Sequence, residues 1–227
     1  MTVAAILLAG GESSRMGQPK ALLSWGPSTG SGQAQKLVEY QIDQFRQPPV
    51  ERVVVVLGHD AERIRPVVEQ AGAEVLVNEL YKRGRASSLR AGARAVADDT
   101  RTIVVLDVDQ PRPRRVIQRL IENHVRASNL ITVPTFEGKR GHPTVVDGWL
   151  LPELRRVRER TEGLRGFLEQ HEADVVELPF DSAVVLVGMN TPQEYESAKA
   201  KYFAEEEAGG FEHSTEVRRV GHEPGID

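Results

Sequence analysis

Uninterrupted apolar runs alternate along the chain with mixed segments whose apolar residues recur at helical spacing. Val3-Ala4-Ala5-Ile6-Leu7-Leu8-Ala9 is apolar at every position, as are Val53 to Leu57 and Ile103 to Leu106. Short runs of this kind, without polar alternation, predict strands covered on both faces, as in a parallel sheet between helices. Leu37, Tyr40, Gln41 and Phe45 predict a helix from about Gln35 to Gln47, stopped by Pro48-Pro49. Ala61 to Gln70 reads as a helix ended by Gly72, and Ala73 to Val77 as a strand. Arg112 to Ala127 is a further helix and Leu130 to Pro134 a strand. Leu150 to His171 reads as helix in two pieces broken at Gly163, with Asp174 to Leu178 and Ala183 to Val187 as later strands. Strand and helix alternating at short intervals indicate an α/β protein with three αβα layers and a Rossmann-like, mostly parallel sheet.

With 227 residues and 40% hydrophobic content, the chain fits one such domain better than two. We place that domain at 1–203. From 204 to 227 runs a polar tail without periodicity, containing Glu205-Glu206-Glu207 and Gly209-Gly210, which is expected to be mobile. Gly26 to Gln33 is a small, polar stretch read as a flexible surface insertion. The net charge of −4 argues against nucleic-acid partners, which leave a basic footprint. Cysteine is absent, so thiol catalysis, thiolate metal sites and disulfides are excluded. No basic segment precedes the first apolar run and no run is long enough to span a membrane; a soluble, cytoplasmic protein without membrane partners is expected.

The first run ends in Gly10-Gly11-Glu12-Ser13-Ser14-Arg15-Met16-Gly17-Gln18-Pro19-Lys20. The adjacent glycines are read as permitting a turn that no side chain would tolerate, with backbone N–H groups free to approach a polyphosphate. Ser13 and Ser14 add hydroxyl donors, and Arg15 and Lys20 add positive charge, the Arg as a planar fork and the Lys as a mobile point charge. Neither G-x-x-x-x-G-K-[ST] nor G-x-G-x-x-G is present.

Leu8-Ala9-Gly10-Gly11 through Lys20 resembles the signature loop of the molybdenum cofactor nucleotidyltransferases, within the wider group that includes sugar-1-phosphate nucleotidyltransferases. The resemblance implies the nucleotide-diphospho-sugar transferase type of fold. Asp107-Val108-Asp109-Gln110-Pro111 closes a buried strand, and its Asp-Gln-Pro matches the cytidylyltransferases of that family. The resemblance therefore makes Asp109 a Mg²⁺ ligand, while Asp107 has spacing alone to recommend it. Asn190, in Gly188-Met189-Asn190-Thr191-Pro192, stands where the family has its second metal ligand, usually Asp. Asn78 with Ser87 and Ser88, one of which is expected to open a helix, resembles a binding segment for an anion or base edge. Gly141-His142-Pro143 marks a region that lies near the acceptor in the family, so His142 is assigned to substrate binding. Thr161 to Gly166 resembles a family motif only loosely, making Arg165 a phosphate contact.

Together these matches imply an enzyme that transfers CMP from CTP to the phosphate of a molybdopterin-type acceptor, with Mg²⁺ as cofactor and a molybdoenzyme as possible client. Arg15, Lys20 and Asp109 are its catalytic residues; Leu8, Ala9, Gly10, Gly11, Ser13, Ser14, Asn78, Ser87, Ser88 and His142 bind substrate; Asp109 and Asn190 hold the metal. The first loop is closer to the guanylyltransferases, which keeps GTP open. A sugar-phosphate nucleotidyltransferase, a D-x-D glycosyltransferase and a cofactor carrier are the competing readings.

Overall fold

The computed structural model describes residues 2–27, 34–159, 163–207 and 218–219. The expected loop at 26–33 therefore falls largely outside the described residues, as do Thr161, Glu162 and most of the tail.

The first apolar run is strand β1, Val3–Ala9, buried at every position. A hairpin of β2, Ser24–Trp25, and β3, Gln35–Lys36, precedes α1, Leu37–Phe45. Then come β4, Val50–Leu57, α2, Ala61–Gln70, β5, Glu74–Val77, and α3, Arg85–Ala95. Strand β6, Thr102–Asp107, is followed by α4, Arg114–Ala127, and β7, Ile131–Phe136. Strands β8, Lys139–Arg140, and β9, Thr144–Asp147, lead to short helices α5, Leu151–Leu154, and α6, Leu164–Gln170. Strand β10, Val175–Pro179, helix α7, Pro192–Glu207, and strand β11, Arg218–Arg219, complete the order.

The main sheet runs β11-β10-β7-β9-β6-β1-β4-β5, with β8 paired to β7. Strands β6, β1, β4 and β5 are parallel, as are β10 and β7; β9 runs antiparallel between β7 and β6. Alternate residues of β1 serve different cores. Ala5 and Leu7 pack with α1, α2, α4 and α7, while Ala4, Ile6 and Leu8 pack with α3, α5 and α6. An apolar run without alternation is what a strand between two helical layers needs. The register sets Leu8 opposite Asp107 and Ala9 opposite Leu57, so β1, β6 and β4 end level and deliver Gly10, Asp107 and Gly58 to one edge.

One expectation needs correction, and two element bounds differ from those expected. Ala183–Leu186 is a 3-10 turn, not a strand. Ser182 caps it by accepting from the Val184 N–H, and the Val185 and Val187 carbonyls accept from the Arg112 side chain instead of a neighbouring strand. The two helical pieces expected over 150–171 are present as α5 and α6, separated by a stretch that ends at Gly163 with φ 60, but the first piece is shorter than expected. Helix α7 continues to Glu207, beyond the expected boundary at 203, its Tyr195 and Tyr202 rings packing on Trp25.

Candidate active site

The carboxyl ends of β1 and β6 open into a cavity of about 500 Å³. Its walls include Leu8, Ala9, Gly10, Gly11, Ser13 and Lys20 from the first loop, Ser88 from α3, and Asp109 and Asn190 from the far side. Open parallel sheets place ligands at this edge because loops and helix N-termini converge there.

The loop after β1 is held by its own hydrogen bonds. Ser13 sits in the left-handed region at φ 51, and its hydroxyl accepts from the Lys20 N–H at 3.1 Å. This revises the role given to the glycines, because neither Gly10 nor Gly11 has a positive φ. A Cβ on Gly10 would come within 3.2 Å of the Gly58 nitrogen, whereas one on Gly11 would meet open space. Gly10 thus permits close packing beneath the loop, and Gly11 keeps its cavity face uncovered.

Lys20 is the centre of the arrangement. Its Nζ donates to Asp109 Oδ2 at 2.6 Å and to Asn190 Oδ1 at 3.0 Å. Residues 89 and 170 positions away in sequence thus converge on one cationic nitrogen. A carboxylate oxygen and an amide oxygen clasping an ammonium form a set of hard donors that would also suit a divalent cation. Among the described residues no group of three or more His, Asp or Glu side chains could hold a metal ion, so such a cation would need further oxygens from ligand and water.

The opposite wall carries a second ion pair. Arg85, the first residue of α3, donates to Asp107 Oδ2. Burial pushes the Asp107 carboxyl up to about 6, with Arg85 opposing the rise and Asp109 adding to it. Gly84 precedes Arg85 at φ 98, where an added Cβ would strike the Glu159 carboxyl group. That carboxylate accepts from the Ala86 N–H at 2.8 Å and satisfies one donor at the start of α3. Ser87 and Ser88 lie inside the first turn of the helix rather than opening it. Both are buried, and both hydroxyls accept from Asn78 Nδ2, at 2.8 and 3.0 Å. Asn78 and Ser87 therefore fasten α3 to the end of β5, and Ser88 alone of the three lines the cavity.

Other sequence candidates are not brought there. Ser14 and Arg15 are exposed and do not line the cavity. Arg165 pairs with Glu169 along α6. His142 is half-buried and outside the lining; burial, with Arg112 and Arg85 nearby, pulls its imidazole down to about 3, so it is neutral at pH 7. Conversely, Tyr81, Arg85, Asp107 and Gln110 line the cavity without having been assigned roles. The Gln110 Oε1 atom is buried with no hydrogen-bond partner among the described residues. Spacing by two from Asp109 was the one available signal for Asp107, and no pattern marked Arg85.

With this geometry in hand, similarity to known proteins is informative. Residues 5–175 match the MobA-like NTP transferase domain. The chain is 31% identical over 176 residues to nicotine blue oxidoreductase of Paenarthrobacter nicotinovorans, covering 74% of this chain and 82% of that one. The crystal structure of Rv0371c from Mycobacterium tuberculosis H37Rv superposes with a TM-score of 0.72 at 26% identity, covering 86% of this chain and 96% of that one. A manganese complex of Rv0371c gives 0.68 at 24% identity over the same shares of the two chains. Molybdopterin-guanine dinucleotide biosynthesis protein A of Archaeoglobus fulgidus shares the fold, with a TM-score of 0.57, 21% identity and coverage of 91% of this chain and all of that one. Among the described residues no helix is long and apolar enough to cross a membrane. The fold is the three-layer, Rossmann-like type of the nucleotide-diphospho-sugar transferases, and the chain belongs to the MobA-like NTP transferase family as an enzyme of the nucleotidyltransferase type.

Proposed function

We propose that the protein transfers CMP from CTP to the phosphate of a molybdopterin-type acceptor and releases pyrophosphate. The observation that carries the catalytic part of this reading is the clasp of Lys20 Nζ by Asp109 and Asn190 beside the Gly10 loop. An acceptor phosphate oxygen attacks the α-phosphorus, the bond from that phosphorus to the β-phosphate bridging oxygen breaks, and the electron pair leaves with pyrophosphate. The nucleophile is already an anion near neutral pH, so no general base is required. The obstacle is repulsion between polyanions, which fixed cations and dipoles relieve while holding the groups in line.

In this reading the loop residues Gly10, Gly11 and Ser13, which line the cavity, receive the triphosphate. Lys20, freed from its present partners, turns onto the phosphates. Asp109 and Asn190 would then hold Mg²⁺, which when bound neutralises phosphate charge and fixes the reacting oxygens. Arg15, exposed and outside the cavity lining, acts on the phosphates only as a distant charge. Gln110 Oε1, without a hydrogen-bond partner among the described residues, is available to a ligand N–H or O–H.

CTP is favoured by the Asp109-Gln110-Pro111 and Gly141-His142-Pro143 motifs, and GTP by Leu8-Ala9-Gly10-Gly11. The test is pyrophosphate release with Mg²⁺ and each of CTP, GTP, ATP and UTP, with and without molybdopterin-bearing acceptor. CTP-dependent release that requires acceptor is the expected result. Release with GTP instead moves the chain to the guanylyltransferases. Silence with all four on folded protein leaves a sugar-phosphate acceptor or a carrier role, and an Asp109→Ala protein that still matures a molybdoenzyme client would identify the carrier.

A further inference from the structure

Arg112 is wholly buried, and it is among the largest side chains in the protein to be so. A buried guanidinium is usually matched by a carboxylate. Here, among the described residues, every hydrogen-bond partner of the guanidinium is a backbone carbonyl. Nε donates to His142 O at 2.7 Å, Nη1 to Pro111 O at 2.7 Å and Val187 O at 2.9 Å, and Nη2 to Val185 O at 2.7 Å. Burial pulls the group down to about 9, which leaves it a cation at neutral pH.

Those carbonyls belong to three separate segments: the loop that carries Asp109, the turn that carries His142, and the run from Val185 towards Asn190. Among the described residues no strand pairing joins the three. Two backbone bonds tie them, Met189 N–H to Asp109 O at 3.1 Å and His142 N–H to Val185 O at 2.9 Å; Lys20 Nζ spans the Asp109 and Asn190 side chains, and the guanidinium alone bonds to the backbone of all three. Close approach is built in: a Cβ at Gly141 would lie 2.1 Å from the Val185 carbonyl oxygen. Gln41, also wholly buried, grips the Asp109 loop from α1, its Nε2 donating to Gln110 O at 3.0 Å and its Oε1 accepting from the Arg112 N–H at 3.3 Å.

We propose that Arg112 is a positioning residue of the transfer reaction, fastening the Asp109 loop to the Asn190 segment so that the two oxygen donors keep the spacing that Lys20 Nζ now spans. The proposal rests on the reading of Asp109 and Asn190 as ligands of a divalent cation. A planar fork with five N–H groups can bind several carbonyls in fixed directions; a lysine keeps the charge with three donors at one point, and a methionine keeps the bulk with none. Partners that orient metal ligands typically contribute about 10–100-fold to metal affinity or activity.

The experiment is an EPR titration of Mn²⁺ with the full-length protein and CTP, repeated with GTP, in the absence of acceptor. The variants are Arg112→Lys, Arg112→Met, Asp109→Asn and Asn190→Ala, each checked for folding by circular dichroism. Folded Arg112→Met is expected to weaken Mn²⁺ binding about tenfold or more, with Arg112→Lys between it and the native protein. The Mg²⁺ concentration for half-maximal pyrophosphate release should rise in parallel. Unchanged Mn²⁺ binding in both Arg112 variants, while Asp109→Asn and Asn190→Ala weaken it, overturns the proposal and leaves the ligand assignment standing. Unchanged binding in the Asp109 and Asn190 variants removes the ligand assignment itself. Should neither Arg112 variant fold, the Arg112 Nε–H of the native protein can be followed by NMR. Its solvent exchange should slow when CTP and Mg²⁺ bind, and an unaltered rate overturns the proposal.

Discussion

Lys20–Asp109 and Arg85–Asp107 both join a cation on one wall of the cavity to a carboxylate at or just beyond the end of β6, yet they differ in construction. In the first pair both side chains are largely withdrawn from water, at 14% and 22% exposure, and Lys20 has Asn190 as a second acceptor. In the second, an Arg85 side chain that is 51% exposed reaches over an Asp107 that is only 14% exposed. The first pair is a cation held between two oxygens that could equally hold another cation. The second is a buried carboxylate neutralised by a half-exposed arginine. Opposite charges across a cavity therefore do not define equivalent roles, and what surrounds each pair separates them.

The largest effect should follow from Asp109→Asn, which keeps the shape and removes the charge. Turnover is expected to fall on the order of 10³-fold, measured as pyrophosphate release at saturating nucleotide and Mg²⁺. Lys20→Met should cost about 10²-fold, with a rise in the KM for nucleotide because one phosphate partner is lost in both ground and transition states. A Lys20→Met enzyme with native turnover would dissolve the distinction between the pairs.

Effects at the second pair should be smaller and appear in stability. Because the folded Asp107 carboxyl lies at about 6, above its ordinary value of 3.8, the native state binds more protons than the unfolded state between those limits. Its contribution is therefore fully present below about pH 4 and is lost as pH rises through about 6. Over that window it amounts to roughly 3 kcal/mol, from 1.36 kcal/mol per pKa unit. Urea titrations at several pH values should show this slope in the native protein and its absence in Asp107→Asn; parallel curves would refute the assignment. Arg85→Met removes the cation that opposes the rise and should carry the same window to higher pH. The smallest effect belongs to Arg15→Ala, an exposed change expected to alter KM by only a few-fold, as rim charges typically do.

Chemistry that is continuous in sequence was legible. The apolar run of β1, the loop to Lys20 and the strand ending at Asp107 could be read because a doubly covered strand leaves an unbroken hydrophobic signature and its edge is where ligands bind. Asp109 and Asn190 were named through family motifs, and the structure draws them onto one nitrogen. Arg85 was invisible because an arginine opening a helix resembles any solvated charge. The Ala183–Leu186 turn was misread as a strand because a short run such as Ala-Val-Val-Leu has the composition of one. Its carbonyls are claimed instead by Arg112, a residue 73 positions from Val185 that periodicity could only place on a helix start. Asn78, Ser87 and Ser88 were read as a binding group, whereas the bonds among them show why two of the three face inward.

The most direct test of the central claim is pyrophosphate release from CTP with Mg²⁺ and molybdopterin-bearing acceptor, compared between the native protein and Asp109→Asn. The account predicts acceptor-dependent release by the native protein and its near-complete loss in the variant. Equal release by both proteins would contradict it, because the oxygens that now clasp Lys20 would then have no part in the reaction.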